Sequence, residues 1–212
     1  MTRAFDPSLY LVTDPQIGGG RDLIGAVLAA VRGGASMVQL RDKTASDGVF
    51  VETGRALKQA LAGSGVPLIV NDRLDLVDAI GADGLHIGQS DAGVAQARAR
   101  FGRKLLLGLS IETLAQTEGL DASLIDYVGA GPVFGTPSKA DHAAPIAFAG
   151  LAAIVAACPV PVVAIGGLTA THAAEVRRAG AAGLAVISAI LAADDPQVAA
   201  RDIRRAFEGV TP

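Results

Sequence analysis

Residues 33–43 read Gly-Gly-Ala-Ser-Met-Val-Gln-Leu-Arg-Asp-Lys, and this stretch contains the unit from which the chain is built. Glycine suits the left-handed position that closes a helix, and the apolar run 37–40 suits a strand buried on both faces. The polar residues that follow mark the point where the strand ends. The unit therefore predicts a helix, a buried parallel strand and a polar loop, in that order.

The same unit recurs along the chain, with Gly-Ala or a close relative before the apolar run at 81–83, 121–123 and 180–182. Strands are predicted at 9–12, 37–40, 68–70, 84–87, 105–109, 127–130, 162–165 and 183–187. Helical patterns between most of them imply right-handed crossovers, which permit a closed barrel or an open doubly wound sheet. Eight units favour the barrel. We therefore expect an α/β protein with a TIM (β/α)8 barrel in a single domain that covers residues 1–212.

Composition limits the partners of the chain. The length of 212 residues fits one α/β barrel, and half of the residues are apolar while Trp is absent. The net charge is −3 with both signs interspersed, so no charged surface is expected for nucleic acid or for an anionic membrane. Small-molecule substrates are the expected partners, and a homo-oligomer is compatible with the sequence.

Three features bear on location. Cys158 is the single cysteine and cannot form an internal disulfide, and residues 1–10 lack the apolar core of a signal peptide. The apolar stretch 151–168 approaches membrane length, but Pro159, Pro161, Gly166 and Gly167 interrupt it. We interpret this stretch as a helix end, a turn and a buried strand. No membrane span and a cytoplasmic location are predicted.

The end of the second strand carries two cations. Gln39, Arg41 and Lys43 alternate along the chain, so they point to the same side. Arg offers a planar fork for phosphate oxygens and Lys a point charge. The alternative is that both cations pair with nearby carboxylates, although the adjacent Asp42 points the opposite way. The pattern favours anion binding.

The next two strands end in carboxylates, Asp72 after Asn71 and Asp91 after the run 86–90. Mg²⁺ commonly takes one or two carboxylates and completes its shell with water and substrate phosphates. Helix capping is the alternative, and Asp91 fits it well because a helical pattern follows. His86 has no carboxylate or nucleophile placed to form a triad with it. We predict that His86 contacts substrate, with a packed strand-end histidine as the alternative.

The opposite strands offer a second anion site. Gly167 and Ser188 follow the seventh and eighth strands, where barrels build phosphate sites from backbone N–H groups and a short helix. Gly167 lets the backbone approach the anion, and Ser188 adds a donor. The loop 135–139 adds two hydroxyls and a cation, with an ordinary polar loop as the alternative. Two anion sites across one barrel mouth predict an enzyme that joins two phosphorylated substrates.

The motifs together resemble those of the thiamine-phosphate synthase family. The similarity runs from 9–14 through 39–43, 70–72, 86–91, 108–110 and 131–134 to 165–167 and 187–188. It implies a TIM barrel that couples hydroxymethylpyrimidine diphosphate to hydroxyethylthiazole phosphate and releases pyrophosphate with Mg²⁺. It implies pyrimidine-diphosphate contacts from Gln39, Leu40, Arg41, Asp42, Lys43, Asn71, Ser110 and Lys139. The implied metal ligands are Asp72 and Asp91, and the implied thiazole-phosphate contacts are Thr136, Pro137, Ser138, Gly167, Ile187 and Ser188.

The implied chemistry is ionisation of the pyrimidine-methyl carbon with diphosphate as the leaving group. Arg41, Lys43, Lys139 and the metal would stabilise the departing charge, and Ser110 completes the set of predicted catalytic residues. The thiazole nitrogen then attacks the carbon. Such a reaction needs no strong protein base, which agrees with the absence of a nucleophile–base pair in the sequence.

Three positions depart from the family pattern. Gly135 stands where Pro is frequent, Ser138 where Thr is frequent, and Glu112 where many members have His. The related thiazole tautomerase uses that His and lacks the Asn-Asp and Gly-Gln-x-Asp motifs, so this chain has the opposite combination. A non-catalytic thiazole-phosphate-binding barrel is another alternative, which the carboxylate pair beside Arg41 and Lys43 disfavours. A sugar-phosphate isomerase would not need the diphosphate end of the site.

Overall fold

A computed structural model describes residues 5–17, 20, 22–89, 93–135 and 144–210. Within them, parallel strands form a closed barrel in which each strand pairs with the next and the last pairs with the first. The strands are β1 Leu9–Val12, β2 Met37–Leu40, β3 Leu68–Asn71, β4 Gly84–Ile87, β5 Leu106–Ile111, β6 Tyr127–Ala130, β7 Val162–Ile165 and β8 Gly183–Val186. The predicted TIM barrel is confirmed.

Helices follow most of the strands and cover the outside of the barrel. They are α1 Leu23–Arg32, α2 Asp47–Ala60, α3 Val77–Ile80, α4 Gly93–Phe101, α5 Ala147–Ala157, α6 Ala170–Arg178, α7 Ser188–Leu191 and α8 Pro196–Glu208. Local sequence sets several ends: the Asp195 carboxylate accepts hydrogen bonds from two backbone N–H groups of α8, and Gly209 ends that helix in a left-handed conformation. None of the described helices is long and apolar enough to cross a membrane.

The predicted strand boundaries need three corrections. β5 runs to Ile111 because Ser110 and Ile111 pair with β6, and β3 includes Asn71 because this residue pairs with His86. β8 ends at Val186, since Ile187 already caps α7. Asn71 and Ser110 therefore lie inside the sheet, where strand pairing fixes the direction of their side chains, and not in the loops after it.

The alternation of side chains along each strand divides the core into two layers. Residues that point outward, such as Leu11, Val38 and Leu184, pack against the helices. Residues that point inward form a separate cluster of Tyr10, Val12, Met37, Ile69, Leu106, Tyr127, Val163 and Ala185. This inner cluster fills the interior of the barrel and forms the floor on which a site at the barrel mouth rests.

A buried ion pair joins α4 to the start of β6. The Arg98 guanidinium lies 2.5 Å from the Asp126 carboxylate, and the two side chains are 8% and 6% exposed. Arg98 also donates hydrogen bonds to the carbonyls of Leu124 and Leu105, and Asp126 accepts one from the N–H of Leu107. The pair therefore satisfies the backbone where β5 and β6 begin.

We predict that Asp126→Ala lowers the free energy of unfolding by about 3 kcal/mol, because Arg98 would remain buried without a counter-charge. The control is Asp78→Ala, which breaks a pair with Arg100 whose side chains are 63% and 42% exposed. That change should cost less than about 1 kcal/mol. Urea denaturation of both variants measures the difference, and equal losses would contradict a structural role for the buried pair.

Candidate active site

A cavity of about 450 Å³ opens where the carboxyl ends of the strands meet. Its walls contain many of the residues predicted from the sequence: Gln39, Arg41, Lys43, Asn71, Asp72, His86, Ser110, Gly167, Ile187 and Ser188. They come from six different strands or the loops after them, so the barrel brings together residues that are up to about 150 positions apart in sequence.

Two predicted contacts lie elsewhere. Leu40 is buried in the outer layer between the strands and the helices. The Asp42 carboxylate accepts hydrogen bonds from the N–H groups of Thr44 and Ala45 and from the Thr44 hydroxyl. Neither residue is among those that line the cavity. That Leu40 and Asp42 contact substrate stays a prediction.

Five predicted site residues lie outside the described part of the chain: Asp91, Thr136, Pro137, Ser138 and Lys139. Their roles stay predictions. Of the two predicted metal ligands, Asp72 is described and is exposed to the cavity. The described residues contain no group of three His, Cys, Asp or Glu side chains that could hold a metal ion.

Arg41 is held by a carboxylate that the sequence analysis missed. Its guanidinium lies 3.0 Å from Asp14, which follows β1, and both side chains are largely buried. Thr13 adds two hydrogen bonds to the backbone of Arg41. The structure therefore shows the alternative in which Arg41 pairs with a nearby carboxylate. Lys43 is exposed and, across the described ranges, forms no ion pair, so a carboxylate fixes only Arg41 of the two cations.

Arg73 anchors the loop after β2 that contains Arg41 and Lys43. Its guanidinium donates hydrogen bonds to the carbonyls of Ala45 and Asp42, at 2.7 and 3.4 Å, and pairs with Asp47 at the start of α2. It also lies 4.5 Å from the centre of the Phe50 ring. In the sequence, Arg73 is distinguished only by its position directly after Asn71-Asp72. That position does not indicate a contact with a loop about thirty residues earlier.

Asp72 adopts a backbone conformation that is unusual for a residue with a side chain. Its φ is +61°, in the left-handed region that Asn and Asp tolerate better than most residues. The Asn71 amide donates a hydrogen bond of 2.7 Å to the Asp72 carboxylate, and the Asp72 N–H donates to the carbonyl of His86. Such strained positions concentrate at functional sites, and this one turns the carboxylate into the cavity mouth.

The opposite wall contains the turn after β7, with φ of +105° at Gly166 and +61° at Gly167. A Cβ on Gly166 would lie 2.6 Å from Pro132, and one on Gly167 would lie 2.8 Å from the carbonyl oxygen of Gly135. Close packing against the loop after β6 therefore already requires both glycines. Close packing is therefore a sufficient reason for glycine at position 167. That Gly167 also lets the backbone approach an anion stays a prediction.

His86 is buried and lies on the cavity floor between two hydroxyls. Its Nε2 is 3.0 Å from the Ser110 Oγ, and its Nδ1 is 3.2 Å from the Tyr127 Oη. The ring is packed at the end of its strand and also borders the cavity, and its predicted contact with substrate stays a prediction. Glu112 borders the cavity as well, just beyond the end of β5.

The barrel and the cavity at its mouth define a class of protein, namely TIM-barrel enzymes, which keep their active sites at the carboxyl ends of the strands. A family model described as thiamine monophosphate synthase matches residues 9–190. Thiamine-phosphate synthase from Psychrobacter sp. is 50% identical over 91% of this chain and 92% of its own length. Thiamine-phosphate synthase from Xanthobacter autotrophicus is 49% identical over 97% of this chain and 98% of its own.

Solved structures agree with these relatives. The thiamine phosphate pyrophosphorylase from Pyrococcus furiosus superposes with a TM-score of 0.85 at 33% identity, and each chain is covered to 98%. The chain belongs to the thiamine monophosphate synthase family, and it is an enzyme of the transferase class.

We predict that Arg73→Ala weakens the binding of inorganic pyrophosphate about tenfold, which corresponds to roughly 1.4 kcal/mol, because the loop with Arg41 and Lys43 loses its fastening. The control is Arg55→Ala, since Arg55 lies on α2 and donates to the carbonyl of Ala79, away from this loop. Isothermal titration calorimetry gives both affinities. Wild-type affinity for pyrophosphate in Arg73→Ala would show that binding does not depend on the contacts between Arg73 and this loop.

Proposed function

We propose that this enzyme joins hydroxymethylpyrimidine diphosphate to hydroxyethylthiazole phosphate, forming thiamine phosphate and releasing pyrophosphate. The observation that carries the proposal is the arrangement of one cavity, with cations and a carboxylate after β2 and β3 and a glycine turn and a serine after β7 and β8. Membership of the thiamine monophosphate synthase family supports the same reaction.

The diphosphate side lies around Arg41, Lys43 and Asp72. Arg41 is fixed by Asp14, so its planar fork is in place before a ligand arrives, whereas exposed Lys43 can follow the phosphate oxygens. Lys139 is proposed as a third cation. These groups act where negative charge increases in the transition state, which is the arrangement that accelerates departure of an anionic group.

Mg²⁺ is proposed to bind at Asp72 with Asp91 as the second carboxylate. Asp72 presents a hard oxygen donor at the cavity mouth, the donor type that Mg²⁺ prefers, and one or two carboxylates suffice when substrate phosphates complete the shell. When bound, the ion would neutralise part of the charge on the diphosphate.

The proposed reaction breaks the bond between the pyrimidine-methyl carbon and the diphosphate oxygen, and both electrons leave with pyrophosphate. The ring nitrogen of the thiazole then supplies the electron pair for the new carbon–nitrogen bond and becomes positively charged. No proton must move in these steps, so the residues of the cavity need only bind, orient and exclude water. Gln39, Asn71, His86 and Ser110 are proposed to hold the pyrimidine substrate.

The monophosphate of the thiazole is proposed to bind on the opposite wall. Gly167, Ile187 and Ser188, which border the cavity, would supply backbone N–H groups and one hydroxyl there. Thr136, Pro137 and Ser138, which lie outside the described residues, are proposed to contact the same phosphate. This placement puts the thiazole between its own phosphate site and the carbon from which diphosphate departs.

Glu112 weighs against the related tautomerase. Moving a proton near neutral pH favours a group such as histidine, whose ordinary pKa is about 6.5, over a glutamate. Glu112 occupies the cavity wall at that position. We expect negligible tautomerisation of the thiazole carboxylate precursor.

The direct test of the proposed function is product analysis. Purified protein is incubated with both substrates and Mg²⁺, and thiamine phosphate and pyrophosphate are quantified by mass spectrometry and an enzymatic assay. Equal amounts of the two products, abolished by a chelator, are expected. Tautomerisation without coupled product would assign the chain to the alternative activity, and binding without turnover would assign it to a non-catalytic barrel.

We predict that Asp72→Asn slows turnover by about 100- to 1,000-fold, equivalent to roughly 3–4 kcal/mol of transition-state stabilisation. Asparagine tolerates the left-handed backbone at this position, so the substitution removes charge with little strain. Asp75→Asn, nearby but outside the cavity, is the matched control. Asp91→Asn should behave like Asp72→Asn. Wild-type rate and Mg²⁺ dependence in both site variants would refute the metal assignment.

We predict that Ser188→Glu raises the KM for thiazole phosphate at least about tenfold, because a carboxylate would face the substrate phosphate. Ser188→Gln has nearly the same size without the charge and should be much milder. Steady-state kinetics with the pyrimidine substrate at saturation separates the two variants. If both variants change the KM equally, the size of the side chain at position 188, and not repulsion of the phosphate charge, determines the effect.

A further inference from the structure

Five side chains form one hydrogen-bonded row across the cavity floor, which we call the tyrosine relay: Gln39, Tyr10, Tyr127, His86 and Ser110. The Gln39 amide nitrogen lies 2.8 Å from the Tyr10 Oη, and the two tyrosine oxygens lie 2.9 Å apart. The Tyr127 Oη is 3.2 Å from the Nδ1 of His86, whose Nε2 is 3.0 Å from the Ser110 Oγ. The relay thus connects β2 to β5 through β1, β6 and β4.

Both tyrosines are neutral donors in this row. Tyr10 and Tyr127 are buried in the inner cluster, and burial raises the pKa of each hydroxyl. Each therefore carries one hydrogen, with which it can donate to one neighbour only. The Tyr127 ring also packs against Tyr10 and His86, at 6.0 and 5.5 Å between ring centres, so the hydroxyls cannot swing away.

These single hydrogens give the relay a direction. With the Gln39 amide donating to Tyr10, the arrangement that gives every hydrogen of the row an acceptor within it has Tyr10 donating to Tyr127 and Tyr127 donating to the Nδ1 of His86. A neutral imidazole that accepts at Nδ1 carries its hydrogen on Nε2 and donates it to the Ser110 Oγ. The hydrogen of Ser110 is then left to point into the cavity.

Two glycines leave the space that the rings of the relay occupy. This is a separate indication that the barrel interior is adapted to contain the relay. A Cβ on Gly108 would lie 2.2 Å from the Tyr127 ring and 2.4 Å from the Nδ1 of His86. A Cβ on Gly129 would lie 3.1 Å from the His86 ring. Neither glycine has a positive φ, so both are required for space and not for backbone conformation.

We propose that Tyr127, together with Tyr10, is a positioning residue that fixes the His86 tautomer and thereby presents the Ser110 hydroxyl to the cavity as a hydrogen-bond donor. For the substrate that Ser110 would contact, the inference rests on the proposed function. Gln39, Tyr10, His86 and Ser110 border the cavity, whereas Tyr127 does not and acts only through its neighbours.

The first test is made on the substrate-free protein and does not depend on the reaction. Nitrogen-15 NMR of protein labelled in histidine reports which ring nitrogen carries hydrogen, and His86→Gln assigns the signals by their loss. The expected result is hydrogen on Nε2 in the wild type and loss of that preference in Tyr127→Phe. Hydrogen on Nδ1 in the wild type would reverse the direction and overturn the proposal.

The second test is a double-mutant cycle. Tyr127→Phe should lower kcat/KM for the pyrimidine substrate about two- to tenfold, the range of one ordinary hydrogen bond, and leave the KM for thiazole phosphate unchanged. The same change made in Ser110→Ala should have no further effect, because Tyr127 acts through Ser110. Additive losses, or equal losses for both substrates, would overturn the positioning role.

Controls separate positioning from packing. Met37→Leu changes another buried residue of the same inner cluster and should leave the tautomer and the kinetics as they are. If Tyr127→Phe fails to fold, Tyr10→Phe breaks the same row one link away and should give the same losses. If the wild type makes no thiamine phosphate, the proposed function fails, while the NMR measurement still decides the direction of the relay.

Discussion

Closure of the barrel is the constraint on which everything else in this molecule depends. Parallel pairing of each strand with the next, and of β8 with β1, forces alternate residues inward and places all carboxyl ends on one rim. Residues such as Gln39 and Ser188, far apart in sequence, then border one cavity. The inner cluster below keeps that cavity from extending through the barrel, so ligands can enter from one side only.

A rim with several cations must be stabilised before any ligand binds. Asp14 supports Arg41, and Arg73 ties the loop of Arg41 and Lys43 to α2 by hydrogen bonds to backbone carbonyls. These contacts orient the cations, so less conformational entropy is lost when an anion binds. The glycine turn on the opposite wall is fixed in another way, by close packing against the loop after β6. The two sides of the cavity are thus held in place by separate sets of contacts.

Sequence predicted the barrel, most strand positions and ten of the residues that line the cavity, because the period of two and the polar strand ends are local signals. It placed Ser110 after β5 instead of inside it, since only pairing with β6 extends that strand. It missed Asp14, Arg73 and Tyr127, whose roles arise from contacts between distant elements. Alternation along β2 turns the side chain of Leu40 outward, into the layer between the strands and the helices.

The central claim is that one cavity holds two anionic substrates at separate sites, and simultaneous binding tests it most directly. Isothermal titration calorimetry would measure the Kd of pyrophosphate with Mg²⁺ in the absence and in the presence of saturating thiazole phosphate. The account predicts that the second ligand leaves this Kd within about threefold of its original value, a change below about 0.7 kcal/mol. Mutual displacement of the two ligands would mean a single anion site and would contradict the account.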